Sequence, residues 1–167
     1  ERFSPDRSQR RAMKAGQDLQ VREHPLVFSE EHYTLYQRYQ AERHSGGGMD
    51  QDSREQYIHF LLQSNIDTRL MEFRRGGELL MVSIIDCLPD GLSSVYTFYD
   101  PTSRASLGSY SVLWQVNACQ HLGQSYLYLG YWIRDCNKMN YKRRFQGLEG
   151  WVEGVWRPLS EDDFAHL

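Results

Sequence analysis

Apolar positions along this chain change their period twice, and each change marks a change of element. Ser29-Glu30-Glu31 supplies an N-cap followed by first-turn acids, which predicts a helix running to about Arg43 with Tyr33, Tyr36 and Tyr39 along one side. His44-Ser45-Gly46-Gly47-Gly48-Met49 predicts a loop, because successive glycines leave the backbone unrestrained. Asp52 or Ser53 then caps a second predicted helix to about Gln63, whose apolar positions Tyr57, Phe60 and Leu61 fit a helical repeat.

In the middle of the chain the pattern becomes that of strands. Residues 69–74 read as a strand, Arg75-Gly76-Gly77-Glu78 as a hairpin turn, and residues 79–88 are almost continuously apolar, as in a buried strand. Pro89-Asp90-Gly91 turns the chain into residues 92–99, so a three-strand antiparallel meander is expected. After Asp100-Pro101 helical spacing returns: Leu107, Tyr110, Trp114, Ala118 and His121 share one side of a helix from near Ser106 to Gly123. Residues 126–130 form a further predicted strand, 138–144 a short basic helix, and 148–156 a terminal hairpin.

Composition narrows the class. With 167 residues, 40% of them hydrophobic and 25% charged, one substantial core is expected and two ordinary domains are not. The net charge of −3 means that any nucleic-acid contact must come from local patches. One such patch is the polar opening segment, where Arg2, Arg7, Arg10, Arg11, Lys14 and Arg22 suit either a solvated linker or a phosphate-touching arm. Cys87, Cys119 and Cys136 form no Cys-x-x-Cys pair, and a reducing cytoplasm is the simplest compartment for them. No membrane partner is expected, since no apolar run approaches the roughly 18 residues of a span. Cys119-Gln120-His121 has metal-ligand residue types, but it falls on a predicted core-facing helix and no metal is expected there.

The order of elements resembles an acetyltransferase-like (GNAT/Fem-like) α/β fold, a mixed, mainly antiparallel sheet with flanking helices. In that fold the strands before and after the central helix lie parallel and splay apart, which implies a cleft between residues 96–99 and 128–131. Acetyltransferases of this kind hold coenzyme A on a Gln/Arg-x-x-Gly-x-Gly/Ala loop, and Arg104-Ala105-Ser106-Leu107-Gly108-Ser109 lacks that pattern. Coenzyme A is therefore not expected. Ser106 and Gly108 read either as a helix-terminal seat for an anion or the sugar end of RNA, or as an ordinary N-cap and a packing glycine.

A more specific resemblance lies further on. Leu129-Gly130-Tyr131-Trp132-Ile133, then Cys136, Lys138-Met139, Tyr141-Lys142 and Phe145, closely resemble a segment of the arginyl- and leucyl-tRNA–protein transferase family. Phe3-Ser4-Pro5-Asp6-Arg7-Ser8-Gln9-Arg10-Arg11, Tyr36-Gln37-Arg38-Tyr39, Tyr99-Asp100-Pro101 and Ser106-Leu107-Gly108-Ser109-Tyr110 extend it across nearly the whole chain, and residues 43–49 are similar to the bacterial branch. Family members carry a cysteine-rich region just ahead of the Phe-x-Pro segment. The resemblance thus implies that residues 1–24 are a basic linker or arm from that region and 25–167 the catalytic domain.

The activity so implied is transfer of leucine from Leu-tRNA to the α-amine of an N-terminal Asp or Glu. Arginine as the donor residue, or a catalytically silent module binding tRNA or such N-termini, are the alternatives. No cofactor is implied, the aminoacyl-tRNA being a co-substrate. An α-amine with a pKa of about 7.7–8 is partly neutral near pH 7, so alignment and oxyanion stabilisation suffice without a nucleophilic side chain. Asp100 is the candidate to orient or deprotonate the amine, or else a turn former before Pro101; Tyr128 or Tyr131 would serve the tetrahedral intermediate, or else be core rings. Arg38, Arg43, His44 and Arg69 are candidate clamps for an acidic side chain, and Tyr96 and Tyr99 line the expected cleft. Lys138, Tyr141 and Lys142, sharing a helix face, join Arg10 and Arg11 as candidate tRNA contacts; a solvated face is the other reading.

Overall fold

The computed structural model describes residues 3–43 and 53–166, so the predicted loop with His44, and Asp52, lie outside the described residues. Five strands form one sheet in the order β1 (Gln20–His24), β2 (Thr68–Arg75), β3 (Glu78–Leu88), β4 (Gly91–Tyr99) and β5 (Tyr126–Tyr128). The first four are antiparallel neighbours, while β5 lies parallel to β4, as the acetyltransferase-like order requires. Gly76 and Gly77 both take positive φ, which closes the β2–β3 turn without strain. The terminal hairpin is a separate pair, β6 (Glu149–Val152) and β7 (Val155–Pro158), followed by the short helix α5 (Asp163–His166).

Helices cover both faces of the sheet. On one face α2 (Glu30–Arg43) and α3 (Arg54–Leu61) bury Tyr33, Tyr36 and Tyr57 against Leu70, Val82, Ile84 and Phe98. Ser53 caps α3 through a reciprocal box with Gln56. On the other face α4 (Leu107–Leu122) packs Leu107, Tyr110 and Trp114 against Phe73 and Met81. The buried surface of α4 is wider than the predicted stripe: Ser111, Val112, Leu113, Gln115 and Cys119 are buried, whereas His121 is exposed. Alternation along β2 places Glu72 on the same face as Leu70, at a buried position that only a paired carboxylate tolerates.

The opening segment differs most from expectation. Rather than a linker or free arm, it is helix α1 (Arg7–Gly16) and edge strand β1. Asp6 and Gln9 form a reciprocal capping box, and Gln9 Nε2 also donates to the Arg144 carbonyl at 3.1 Å. A Cβ at Gly16 would lie 2.3 Å from the Tyr110 ring, so only glycine lets α1 approach α4 this closely. The buried positions of α1 are Gln9, Ala12 and Gly16, a face of small and polar residues that carries no apolar period to read.

Candidate active site

The parallel pairing of β4 with β5 is short. It joins Gly91 to Tyr126, Leu92 to Leu127 and Ser93 to Tyr128, and then stops. A Cβ at Gly91 would lie 2.3 Å from the Tyr126 carbonyl oxygen, so the close approach at this end depends on glycine. Beyond Ser93, β4 continues to Tyr99 with β3 on one side and no described strand on the other. A bulge there opposes Ile84 to Tyr96 and Ile85 to Ser94, leaving Val95 unpaired. Behind this stretch Thr97 Oγ1, Ser83 Oγ and Ser111 Oγ form a triangle of contacts at 3.0, 2.9 and 3.2 Å, which ties β4 to α4.

The open end of β4 gathers several of the expected residues. The Tyr99 ring meets Tyr39 edge-on at 4.9 Å, Arg43 lies 5.7 Å from the Tyr99 centroid, and the Tyr99 hydroxyl end abuts Gly108 at the start of α4. Tyr96 accepts from Gln40 Nε2 at 3.1 Å. Asp100 Oδ1 accepts from Arg38 Nη2 at 2.9 Å, and from the Thr102 backbone N and hydroxyl at 3.0 and 2.8 Å. Burial alone would push the Asp100 carboxyl up, but the Thr102 donors and Arg38 outweigh it and hold the pKa below its usual value. Asp100 thus closes the turn through Thr102 and anchors Arg38. Ser106 makes no side-chain capping bond, so the first-turn amides of α4 are not covered by it.

Tyr141 comes from the 3₁₀ helix Asn137–Arg144, where a regular helix was expected. Its ring meets Phe145 edge-on at 6.4 Å, and burial, with a smaller contribution from Tyr99, raises its pKa. A 3₁₀ helix has three residues per turn, so Lys138 and Tyr141 stay aligned and Lys142 rotates away. Its ammonium turns inward, with Nζ donating to the carbonyls of Leu129 at 2.7 Å and Tyr131 at 2.5 Å. Those carbonyls come after β5, where the chain has left β4, and Lys142 supplies the donors that a partner strand would have given. Burial lowers the pKa of this lysine. Two of the three Lys142 donors are thus engaged by backbone carbonyls. Lys138 remains on the exposed surface of the 3₁₀ helix.

Other expected residues do not join this cluster. The Tyr128 hydroxyl donates to Asp90 Oδ2 at 2.8 Å, and Tyr128 pairs with Ser93, about 23 Å along β4 from Asp100. Its pKa is raised, chiefly by that bond to Asp90. Tyr131 is 89% exposed and its backbone, not its ring, is engaged. Tyr128 does not share a centre with Asp100. Arg69 sits opposite Ile85, while Asp100 bonds to Leu80, five residues or about 17 Å back along β3. Its guanidinium is spent on Asp67 at 3.3 Å and Glu23 at 3.5 Å. Arg10 donates to the Pro5 carbonyl at 2.5 Å and Arg11 is exposed, both on α1, whose Gln9 touches the end of the 3₁₀ helix.

One polar network was missed altogether. Glu72, 3% exposed, accepts from His32 Nε2 at 2.5 Å and Arg74 Nε at 2.7 Å, and His24 Nε2 lies 3.1 Å from its Oε2. Burial would raise its pKa, but Arg74 and His32 prevail and hold it at about 2. The network anchors α2, which carries Arg38, Tyr39 and Arg43 to the open end. Its signal in the sequence was Glu72 two places after Leu70, on the inward side of a strand. Among the described residues no group of three His, Cys, Asp or Glu side chains is placed to hold a metal ion, and no helix is long and apolar enough to cross a membrane.

The family model described as "Arginine-tRNA-protein transferase, C terminus" matches residues 31–152, a span that runs from α2 through the open end of β4 to the terminal hairpin. The chain belongs to this family. Among curated relatives, it is 57% identical over 154 residues to "Aspartate/glutamate leucyltransferase" of Nitrosospira multiformis, covering 92% of the chain and 61% of the relative. The protein of the same name from Chromobacterium violaceum is 51% identical over 162 residues, covering 96% of the chain and 67% of that relative. The chain thus spans about three-fifths to two-thirds of the length of these relatives.

Solved structures agree on the fold. A ribosomal-protein-alanine N-acetyltransferase from Brucella melitensis superposes with a TM-score of 0.58 at 15% identity, over 85% of this chain and 99% of the other. A possible acetyltransferase from Clostridium difficile gives 0.54 at 13% identity, over 75% and 87%. The acetyltransferase-like fold expected from the order of elements, and the family expected from the motifs, are both borne out.

Proposed function

We propose that this chain transfers leucine from Leu-tRNA to the α-amine of a protein N-terminus beginning with Asp or Glu, and that the aminoacylated adenosine enters where β4 parts from β5. The observation carrying this reading is the edge of β4 beyond Ser93, which no described strand covers, with Tyr99 and Arg43 at its end. The names of the curated relatives supply the substrate class.

In this reaction the amine nitrogen attacks the ester carbonyl, the carbonyl oxygen gains charge, and the bond to the ribose oxygen breaks as an amide forms. The proton lost by nitrogen ends on the ribose oxygen. Backbone N–H groups on the unpaired edge of β4 are suited to meet the oxyanion, because they need no reorganisation when charge develops. Tyr99 and Tyr141 offer rings on which the terminal adenine stacks. The first turn of α4, where the Ser106 side chain makes no capping bond, suits the adjoining phosphate, with Ser106 and Gly108 beside it. Arg38, held by Asp100 and half exposed, is the clamp for the acidic side chain, with Arg43 beside it. Because Asp100 is occupied by Arg38 and Thr102, it is a poor partner for a donor arginine, which favours leucine. Lys138, Arg10 and Arg11, all exposed, are the candidate contacts for the acceptor stem.

Free aminoacyl-tRNA needs no bound cofactor, and the cytoplasm is the compartment this chemistry implies. The test is a transfer assay with leucyl- and arginyl-tRNA side by side, using peptides that begin with Asp, Glu or Ala. Leucine appearing on the Asp and Glu peptides is the expected result. Arginine transfer, or no preference among the peptides, overturns the corresponding part of the proposal.

A further inference from the structure

A second surface lies away from the open end, around the closed pairing of β4 with β5. Tyr126 is 47% exposed, Trp151 61% and Trp156 55%, and they are linked through Tyr128 into one row. Ring centroids step from Tyr126 to Tyr128 at 6.0 Å, on to Trp156 at 6.1 Å, and from Trp156 to Trp151 at 5.7 Å. The two tryptophans face each other across β6 and β7, and strand alternation puts Glu149 on the same side of the hairpin. Asp90, bonded to the Tyr128 hydroxyl, supplies a second carboxylate. Arg157, whose position opposite Gly150 puts it on the other side of the hairpin, is bound to Asp163.

Aromatic faces attract cations, and carboxylates at the rim of such a row add to that attraction while repelling phosphate. From this charge complementarity we propose that the row formed by Tyr126, Tyr128, Trp156 and Trp151 is a docking surface for an arginine- or lysine-bearing segment of a partner protein. Nucleic acid and anionic membrane are repelled by Asp90 and Glu149, and a second copy of the chain would bring like charges together. The surface is separate from the one assigned above to tRNA.

The test is fluorescence anisotropy of a labelled peptide of alternating glycine and arginine, with a glycine–glutamate peptide and phosphatidylserine vesicles as the other arms. The arginine peptide is expected to bind at moderate salt, with Kd raised about fivefold by Trp156→Ala and by Glu149→Lys. Glu55→Lys, which makes the same charge change on the exposed side of α3, is expected to leave it within about twofold. Glu149→Lys alters an exposed side chain, so its result stands even if Trp156→Ala disturbs the hairpin. Equal loss in Glu55→Lys, no loss in Glu149→Lys, or preference for the glutamate peptide or the vesicles overturns the proposal.

Discussion

The two ends of β4 differ in how they hold β5 and the segment after it. At the closed end the work is done by backbone: Gly91 removes the side chain that would collide with Tyr126, and ladder bonds join the strands. At the open end side chains replace the ladder, with Lys142 bonding the carbonyls after β5 and the Ser83–Thr97–Ser111 hydroxyls holding β4 from behind. A gap within a sheet exposes polar backbone, and it persists only if something else satisfies and spaces its walls. In this chain the closed end is a hinge pin and the open end a braced mouth.

That contrast is broken most severely at the pin. Gly91→Val should cost about 3 kcal/mol in chemical denaturation, because the added carbons meet backbone oxygen that cannot turn aside. A loss under about 1 kcal/mol would show that the close approach is not needed. Next in size is the anchor of α2. Glu72 has its folded pKa lowered from 4.5 to about 2, so its stabilising contribution is full above pH 4.5 and drains away as pH falls toward 2. The shift corresponds to about 3 kcal/mol. Unfolding free energies measured down that range should fall in the native protein and lie flatter in Glu72→Gln, which starts less stable; parallel curves would contradict the assignment.

Lys142→Met tests the brace. It keeps most of the side-chain length but leaves two carbonyls without their donor, for an expected loss of about 2 kcal/mol and a much larger fall in transfer rate. Full activity would mean that the loop holds its place without the lysine. Arg38→Ala should change stability least, by under about 1 kcal/mol, since its pair with Asp100 is half exposed. Its effect should appear instead as roughly tenfold weaker transfer to Asp- and Glu-starting peptides in steady-state kinetics. Equal weakening with every N-terminus would remove Arg38 from substrate recognition.

Much of the scaffold was legible because its elements bury large apolar side chains at regular spacing. β3 and the tyrosine side of α2 are examples, and the turn glycines at 76 and 77 marked the hairpin between β2 and β3. α1 was not legible, since it packs through Gly16 and Ala12, and small residues look the same on a buried face as on a wet one. Of the candidate site, family motif and residue type named Tyr99, Asp100, Arg38 and Gly108, which the fold brings to one end of β4. Spacing could not reveal that Tyr128 stands at the opposite end of that strand, because its distance from Asp100 depends on where β5 begins to pair. Nor could it show Lys142 turning inward, a consequence of three residues per turn in place of 3.6.

Lys142 gives its hydrogen bonds to the fold, yet while protonated it still carries a unit of charge beneath the mouth. An approaching polyanion within about 8 Å at physiological salt feels that charge without touching the ammonium. The salt dependence of association would therefore report more cations than a contact survey of the bound complex could find.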